Sequence, residues 1–302
     1  MAKVLCILGN ARRDGYTIKV LNEAAIGARS IKGVETELIY LLSYSFGPCT
    51  SCYHCIRDPD HRCLLPDDMG KNGDLWRKIE EANGLILASP VHFWTADALM
   101  HMFIERLYPF LWSGKLKGIP AATIAVASNQ GFHVSANRTL CKWAFTLGMK
   151  YVGGLPVHAV EMEAALLKAR RLGIKVAEAA LKDAREGRKP MTDIERWLEY
   201  QDKPWKVYPR YIENLTSGTF NPDFSIIGEF LVRGTFKKEE ARRLLENAER
   251  EFQIFKHHYS IQNHREAIKH LVKASAFWTH ATWKEFLEHI IGVSPPKTYR
   301  RI

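Results

Sequence analysis

The stretch Lys3-Val-Leu-Cys-Ile-Leu-Gly9-Asn-Ala-Arg-Arg-Asp-Gly-Tyr-Thr17 decides the fold that we predict from the sequence. Residues 3–9 form a continuous apolar run, rich in branched side chains and ended by glycine, which predicts a strand buried on both faces. A polar loop with a second glycine follows, and an apolar-periodic helix then extends to about Ser30. The stretch therefore predicts a strand, a loop and a helix in succession.

The same alternation continues along the chain. We predict further strands near residues 34–41, 84–89, 120–127 and 150–157. We predict helices near 72–82 and 95–107, and two more after residues 133 and 157, the last ending near 186. Strands that alternate with helices imply right-handed crossovers and a parallel sheet covered on both faces. The predicted fold class is α/β, a doubly wound, five-stranded parallel sheet of the size of a flavodoxin, with a C-terminal helical extension.

The helical extension differs in pattern from the rest of the chain. Prolines interrupt the stretch after the last predicted helix of the sheet domain, which we interpret as a linker: Pro190, Pro204, Pro209 and Pro222. Between residues 241 and 259, and again near 268–272 and 283–291, apolar side chains recur at helical spacing. We therefore predict two domains, residues 1–187 and residues 188–302. The histidines of the second domain match no metal-ligand spacing and are interpreted as residues on solvated helix faces.

Three loops are expected at the edge of the sheet where ligands bind, beyond the carboxyl ends of the strands. In the first, residues 9–17, the N–H groups of a helix N-terminus favour an anion. Loops 89–94 and 128–133 offer apolar faces and hydrogen bonds for a planar ring. FMN fits these features better than a dinucleotide, because the first loop lacks the Gly-x-Gly-x-x-Gly fingerprint. An ordinary capped turn is the alternative for the first loop, where four side chains could complete a phosphate cradle: Asn10, Arg12, Tyr16 and Thr17.

A compact group of cysteines follows the second predicted strand. Two residues separate each of the first three, and seven precede the fourth: Cys49, Cys52, Cys55 and Cys63. This spacing lets one short loop wrap a compact inorganic centre, and it favours a [4Fe–4S] cluster. Zinc also takes four thiolates, but usually from two close pairs that are further apart in sequence. Disulfides, which need an oxidising compartment, and free thiols stay open as well.

Composition and charge are those of a water-soluble globular protein. Of 302 residues, 46% are hydrophobic and 25% charged, and the formal net charge is +10. The chain contains no run of five basic residues and no nucleic-acid-binding signature, so we expect no nucleic-acid partner. No apolar run is long enough to span a bilayer, and the N-terminus has no signal-peptide pattern. We therefore expect a cytoplasmic protein without a membrane partner.

The motifs resemble those of the iron-sulfur flavoprotein branch of the NADPH-dependent FMN reductase family. In this family the first loop reads approximately Gly-Ser-Pro-Arg-x-x-Gly-x-Thr. Here Gly9, Arg12, Gly15 and Thr17 match, and Asn10 replaces the serine. The resemblance covers about residues 1–185.

Two further motifs carry the resemblance. The family pattern Ser-Pro-Val-Tyr is matched by Ser89, Pro90 and Val91, with His92 in place of the tyrosine. The compact cysteine motif of the family, with four to seven residues before the last cysteine, is matched at its upper limit. The resemblance implies a flavodoxin-like fold and FMN, with its phosphate at Asn10, Arg12, Tyr16 and Thr17. It implies cluster ligation by Cys49, Cys52, Cys55 and Cys63, and FMN ring contacts from Pro90, Val91, His92, Phe93, Trp94, Asn129 and Gly131.

The cofactors together favour one kind of function. FMN takes a hydride or two single electrons, whereas an iron-sulfur cluster moves one electron at a time. We therefore expect an oxidoreductase that transfers electrons from ferredoxin or NAD(P)H to a small-molecule or protein acceptor. No acid, base or nucleophile is required, so we assign no catalytic side chain.

Two alternative functions stay open. One is a cluster-free NAD(P)H-dependent FMN or quinone reductase, and the other is a non-catalytic binding module with a zinc-stabilised loop. The family resemblance also implies a homo-oligomer in which a neighbouring subunit helps to cover the flavin. We expect the C-terminal region to take part in that association.

Overall fold

A parallel β-sheet forms the centre of the N-terminal part of the chain. Its strands are β1 (Ala2–Leu8), β2 (Val34–Tyr40), β3 (Gly84–His92), β4 (Thr95–Ala96), β5 (Pro120–Ala127) and β6 (Lys150–His158). Their order is β2-β1-β3-β5-β6, with all neighbours parallel, and the short β4 pairs antiparallel with the end of β3. Without β4 this is the strand order 2-1-3-4-5 of flavodoxin-like sheets. The predicted α/β fold class is confirmed.

The computed structural model describes residues 1–10, 12–219 and 221–300. Ala11, which belongs to the predicted phosphate loop, lies outside the described residues. Contacts within the chain define two compact units, residues 1–190 and residues 191–302.

Helices cover both faces of the sheet. Those of the first unit are α1 (Tyr16–Arg29), α2 (His54–Arg57), α3 (Asp74–Glu81), α4 (Ala98–Arg106), α5 (Tyr108–Ser113), α6 (His133–Thr146) and α7 (Met162–Glu186). Helices α1 and α7 share one apolar core with alternate residues of β1, β3 and β5. Helix α6 lies on the opposite face, where the Thr123 hydroxyl of β5 donates a hydrogen bond to the Asn137 side chain of α6 (2.7 Å). The central strands β1, β3 and β5 are therefore largely buried on both faces, as their unbroken apolar runs predict.

Two glycines set how closely α1 and α7 pack. A Cβ atom on Gly27 would lie 2.0 Å from the carbonyl oxygen of Arg170, and one on Gly173 would lie 1.8 Å from that of Ala24. The two helices thus meet backbone to backbone, which no larger residue allows at these positions. This contact holds α1 against the sheet, and with it the loop between β1 and α1.

The region after β3 differs from the prediction. Residues 89–94 were expected to form a loop that leads directly into a helix. Instead β3 continues to His92, turns through Phe93 and Trp94, and pairs back as β4 before α4 begins at Ala98. A polar Thr95 and the buried Asp97 interrupt the apolar periodicity here, and Asp97 caps α4 by accepting a hydrogen bond from the Met100 amide (2.7 Å). The helix accordingly starts later than expected.

The second unit is helical. It contains α8 (Asp193–Glu199), α9 (Val207–Leu215), α10 (Ile226–Val232), α11 (Glu239–Ser260), α12 (His264–Thr282) and α13 (Glu288–Ile291). Helices α11 and α12 pack together as an antiparallel hairpin whose buried residues include Leu245, Phe252, Phe255 and Leu271. A π-helical segment, Trp283–Leu287, joins α12 to α13. The predicted helical extension is thus confirmed as a fold, whereas the boundary at residues 187 and 188 stays a prediction.

Short helices occupy the stretch that we interpreted as a linker, and that interpretation was wrong. Helix α8 begins with a capping box, in which Thr192 accepts from the Glu195 amide and the Glu195 side chain accepts from the Thr192 amide. Pro209 lies in the first turn of α9, where proline is tolerated because its missing N–H would have had no helical partner. The prolines of this stretch therefore accompany helix starts.

Candidate cofactor and cluster site

The loop after β1 leads to a helix end with free donors. Gly15 is the N-cap of α1 and makes no side-chain cap hydrogen bond, and the first turn carries no acidic residue. The first amides of α1 therefore point outwards without a side-chain acceptor, which suits an anion. Thr17 is buried within this turn, whereas Arg12 and Tyr16 are exposed beside it.

Gly9 brings a second element against this loop. A Cβ atom at Gly9 would lie 2.7 Å from the Cβ atom of Met100 and 3.0 Å from an Asp97 carboxylate oxygen. The absence of a side chain at Gly9 thus lets the start of α4 approach the end of β1. Asn10 shapes the loop further, because its side chain accepts a hydrogen bond from the Arg12 amide (3.1 Å). Asn10, Arg12, Tyr16 and Thr17 therefore lie around one helix N-terminus, as the phosphate prediction requires.

An exposed aromatic turn lies at the end of the neighbouring strand β3. Phe93 and Trp94 form the two-residue turn between β3 and β4, and both have positive φ angles, 44° and 67°. Such a turn normally carries asparagine and glycine, because bulky residues are strained in the left-handed region. The Phe93 side chain is 99% exposed. Residues in such strained backbone conformations cluster at functional sites.

The third loop lies beside this turn. Trp94 is close to Phe132, with 5.3 Å between the ring centroids. The loop is held by His158 at the end of β6, whose Nε2 atom donates to the carbonyl oxygen of Asn129 (2.9 Å). Gly131 has a φ of 93°, which favours glycine at this position. The three loops that were predicted to hold FMN thus follow three adjacent strands, β1, β3 and β5.

The four cysteines of the predicted cluster surround one cavity. Its volume is about 310 Å³, and Cys49, Cys52, Cys55 and Cys63 all line it. Cys55 is buried, Cys52 is exposed, and the remaining two are half-buried. Within the same loop the His61 ring donates from Nδ1 to the Cys55 carbonyl oxygen (2.8 Å). His61 therefore supports the loop through its backbone.

Two residues of the cysteine loop lie in the left-handed region of backbone conformation. Ser51 and Tyr53, which flank Cys52, have φ angles of 52° and 57°. Left-handed residues within a turn can direct neighbouring amides towards one side, and such concavities bind anions, including iron-sulfur clusters. Among the described residues, the amides of residues 50–54 have no hydrogen-bond acceptor. The loop therefore presents both thiols and free amides.

The donor set fits a cluster. Throughout residues 1–10, 12–219 and 221–300, no three His, Cys, Asp or Glu side chains meet closely enough to hold a single metal ion. A cubane cluster makes a different demand, because each of its irons takes one cysteine and the thiols must surround a cavity. Burial, and then the neighbouring thiols of Cys49, Cys63 and Cys52, raise the pKa of Cys55 to about 12. Metal binding would reverse this effect, because a coordinated thiol is deprotonated.

Arg106, the last residue of α4, lines the same cavity and is not part of any sequence prediction. Its guanidinium is 1% exposed and forms a two-pronged ion pair with Asp67, at 2.6 and 2.8 Å. Burial alone would lower the pKa of Arg106, but the bonds to Asp67 raise it above its ordinary value. Partial burial would raise the pKa of Asp67, but Arg106 lowers it below its usual range. Sequence analysis missed Arg106, although a charge among Met100, Phe103, Leu107 and Phe110 was a signal of a buried ion pair.

Asp97 is a second residue that sequence analysis missed. Its carboxyl group is 4% exposed, and desolvation raises its pKa to about 7 despite hydrogen bonds from the Met100 and Leu99 amides. Its amide donates to the buried Ser89 hydroxyl (2.9 Å), which links the start of α4 to the end of β3. The Asp at this N-cap was a local signal, since aspartate often begins a helix.

Fold and site together define a flavodoxin-like nucleotide-binding protein, with its ligand loops at the carboxyl edge of a 2-1-3-4-5 sheet. The sequence model of the family described as NADPH-dependent FMN reductase matches residues 2–161. The chain therefore belongs to this family of FMN-dependent flavoprotein oxidoreductases, and within it to the iron-sulfur flavoprotein branch.

Two similar proteins are both called iron-sulfur flavoproteins. One, from Archaeoglobus fulgidus, is 34% identical over 182 residues, which cover 59% of this chain and 80% of that protein. The other, from Methanocaldococcus jannaschii, is 29% identical over 191 residues, 58% of this chain and 96% of that protein. Among solved structures, a flavone reductase is 21% identical, with a TM-score of 0.47, and the alignment covers 63% of this chain and 66% of that one. No helix in the described part of the chain is long and apolar enough to cross a membrane.

Proposed function

We propose that this protein carries FMN and a [4Fe–4S] cluster and transfers electrons from ferredoxin or NAD(P)H to an acceptor. The observation that carries the proposal is the cavity lined by all four closely spaced cysteines, within a loop whose free amides suit an anionic cluster. The names of the similar proteins from Archaeoglobus fulgidus and Methanocaldococcus jannaschii support it.

The FMN phosphate would lie at the N-terminus of α1. Thr17 and the first amides of α1 offer hydrogen-bond donors there, and Arg12 offers a cation. Seven residues at the end of β3, in the aromatic turn and in the loop after β5 would contact the ring: Pro90, Val91, His92, Phe93, Trp94, Asn129 and Gly131. When bound, the flavin supplies two-electron chemistry and the cluster one-electron chemistry. The protein contributes by orienting the ring, supplying hydrogen bonds and excluding water from the buried side of the cysteine loop.

The first experiment measures what the purified protein contains. Protein prepared without oxygen would be analysed for iron, acid-labile sulfide, zinc and flavin per chain. Near four irons, four sulfides and one FMN per chain are expected from a [4Fe–4S] flavoprotein. One zinc and no sulfide would overturn the cluster assignment.

A cysteine variant tests the ligands individually. Cys52→Ser replaces the most exposed of the four thiols and should remove most of the iron and sulfide while FMN stays bound, because the cysteine loop is separate from the FMN loops. Thr50→Ser, in the same loop and also exposed, is the matched control and should keep both cofactors. Retention of a full cluster in Cys52→Ser would exclude Cys52 as a ligand.

The family description favours a second candidate function, because it specifies reduction of FMN by NADPH. In this alternative the protein is a cluster-free NAD(P)H-dependent FMN or quinone reductase with free thiols. Rapid bleaching of the bound flavin by NADPH in iron-free protein would support it. Flavin reduction that requires ferredoxin and the cluster would favour the first proposal.

A further inference from the structure

Arg106 is a buried cation to which the proposed electron transfer assigns no role. It ends α4, the helix that begins directly after the aromatic turn and β4. The guanidinium lies at the wall of the cysteine cavity, at 1% exposure. A cation in such a place needs compensation, because removing a charge from water is unfavourable unless it is paired.

The contacts of Arg106 join the two ends of the cysteine loop. Nη1 donates to the carbonyl oxygen of Gly47, before the first cysteine, at 2.9 Å. Both terminal nitrogens donate to Asp67, after the last cysteine, at 2.6 and 2.8 Å. The flat guanidinium matches a carboxylate with two parallel bonds, a geometry that lysine cannot reproduce. One side chain thus clamps the segment 47–67 at its base.

A further contact points to the cluster. Nη2 of Arg106 lies 3.5 Å from the Cys63 sulfur. A purely structural ion pair would need only its carboxylate partner, whereas this nitrogen is shared between Asp67 and a predicted ligand sulfur. Hydrogen bonds to cluster sulfurs and nearby charge are the protein's main means of setting a cluster's reduction potential. In a buried position that effect is weakly screened by salt.

We propose that Arg106 is a positioning residue that closes the cysteine loop and raises the reduction potential of the cluster held there. The proposal rests on the proposed function for its second half, since a potential exists only where a cluster binds. The cation favours the reduced cluster, which carries one more negative charge than the oxidised form. Asp67 orients the guanidinium and offsets part of its charge.

Three variants and one control test the effect on the cluster. Arg106→Gln removes the charge, Arg106→Lys keeps the charge without the two-pronged geometry, and Asp67→Asn keeps the cation while removing its anionic partner. Arg77→Gln, an exposed arginine of α3 that also pairs with carboxylates, is the matched control. The midpoint potential would be measured by a redox titration monitored by electron paramagnetic resonance. Iron affinity would be measured by chelator competition.

The expected results separate charge from geometry. Arg106→Gln should shift the midpoint potential to more negative values, Arg106→Lys should shift it less, and Asp67→Asn should shift it to more positive values. Both Arg106 variants should bind iron about 10- to 100-fold more weakly, as loss of outer-shell partners does at metal sites. Arg77→Gln should match the unchanged protein. An Arg106→Gln cluster with an unaltered potential would overturn the tuning role.

Hydrogen exchange tests the closure of the loop without any cluster. In FMN-loaded, iron-free protein, amides 49–63 should exchange faster in Arg106→Lys and Arg106→Gln than in the unchanged protein. Exchange of the β5 amides should stay the same, which shows that the variants are folded. Unchanged exchange in the loop would overturn the positioning role. Protein that never takes up iron would refute the proposed function and the tuning role, while this experiment would still decide whether Arg106 closes the loop.

Discussion

At the scale of single residues, sequence spacing is enough to predict some site residues, whereas others become recognisable only when the fold buries them. The cysteines could be predicted because one loop holds them, so their sequence spacing fixes their approximate geometry. Arg106 and Asp67 lie far apart in sequence, and only the fold brings them together. Asp97 shows the same limit, since its burial depends on the approach of Gly9.

Asp97 leads to a prediction about the dependence of stability on pH. Its pKa in the folded protein, about 7, lies above its ordinary value of 3.8, so the folded state binds the proton more tightly than the unfolded state does. This contribution to stability is complete below about pH 4 and is lost as the pH rises through about 7. Asp97→Asn, which keeps a good N-cap, should therefore match the unchanged protein near pH 4. At pH 8 it should be more stable, by at most about 4 kcal/mol.

Urea unfolding at pH 4.5, 6 and 8 would measure the difference. Glu178→Gln, which removes an exposed carboxylate on α7, is the control and should change the stability little at any of these pH values. A stability difference for Asp97→Asn that does not vary with pH would contradict the assignment.

Thr17 gives a second prediction at this scale, on FMN affinity. Thr17→Val keeps the volume of this buried side chain and removes its hydroxyl group. A hydrogen bond to a charged phosphate contributes about 1.5–3 kcal/mol, so FMN should bind about 10- to 100-fold more weakly. Fluorescence titration of the apoprotein with FMN would measure this. Thr146→Val, at the exposed end of α6, should bind FMN normally, and normal binding by Thr17→Val would remove Thr17 from the phosphate site.

At the scale of elements, the period of the apolar pattern predicted most strands and helices, because each buried face repeats locally. The patterns failed where tertiary contacts decide the outcome. The hairpin of β3 and β4 was missed, since its turn contains Phe93 and Trp94 where asparagine and glycine would be expected. The capping box of Thr192 and Glu195 was a readable signal for α8, and the prolines around it misled the prediction.

The aromatic turn supports a prediction about strain. Replacing Phe93 and Trp94 with asparagine and glycine should stabilise the apoprotein by about 1–3 kcal/mol, because both positions are left-handed. FMN affinity should fall about tenfold, which corresponds to ~1.4 kcal/mol of lost ring contacts. Thermal unfolding and FMN titration would measure the two effects. Gln262→Gly relieves a similar left-handed residue in the second unit and should leave FMN affinity unchanged, and a turn variant with full FMN affinity would exclude ring contacts from these residues.

The contact between α1 and α7 supports a prediction about packing. Gly173→Ala places a methyl group against the backbone of Ala24, so the helices must move apart. Such overpacking typically destabilises a protein by about 1–3 kcal/mol, which denaturant unfolding would detect. Gly47→Ala is the control, because its added Cβ atom meets nothing within 4 Å. Equal stability of the two variants would show that the helices adjust without strain.

At the scale of the whole molecule, the order of strands and helices was sufficient to predict the sheet. The second unit could be predicted as helical. Its helices α11 and α12 pack together and are joined by a turn at Gln262 and Asn263. Its sequence pattern specifies only apolar helix faces, so no role is assigned to it. The homo-oligomer implied by the family resemblance stays a prediction.

Oligomeric state is the prediction that belongs to this scale. We expect sedimentation equilibrium to give a mass that is a multiple of the chain mass of 34.6 kDa. The physical reason is the exposed apolar surface at the ligand edge, where Phe93, Trp94 and Phe132 would otherwise face water. A monomer mass that does not depend on protein concentration would contradict this prediction.

Helix α4 lies between the two proposed cofactor sites. It starts just after the aromatic turn and ends at Arg106, so it extends from the proposed flavin to the proposed cluster. Nine residues at the rise of an α-helix give a length of about 13 Å. A rod of fixed length between two redox centres acts as a spacer for electron tunnelling, whose rate falls exponentially with distance. If both cofactors bind as proposed, the length of this helix would contribute to the distance between them and therefore to the rate of internal electron transfer.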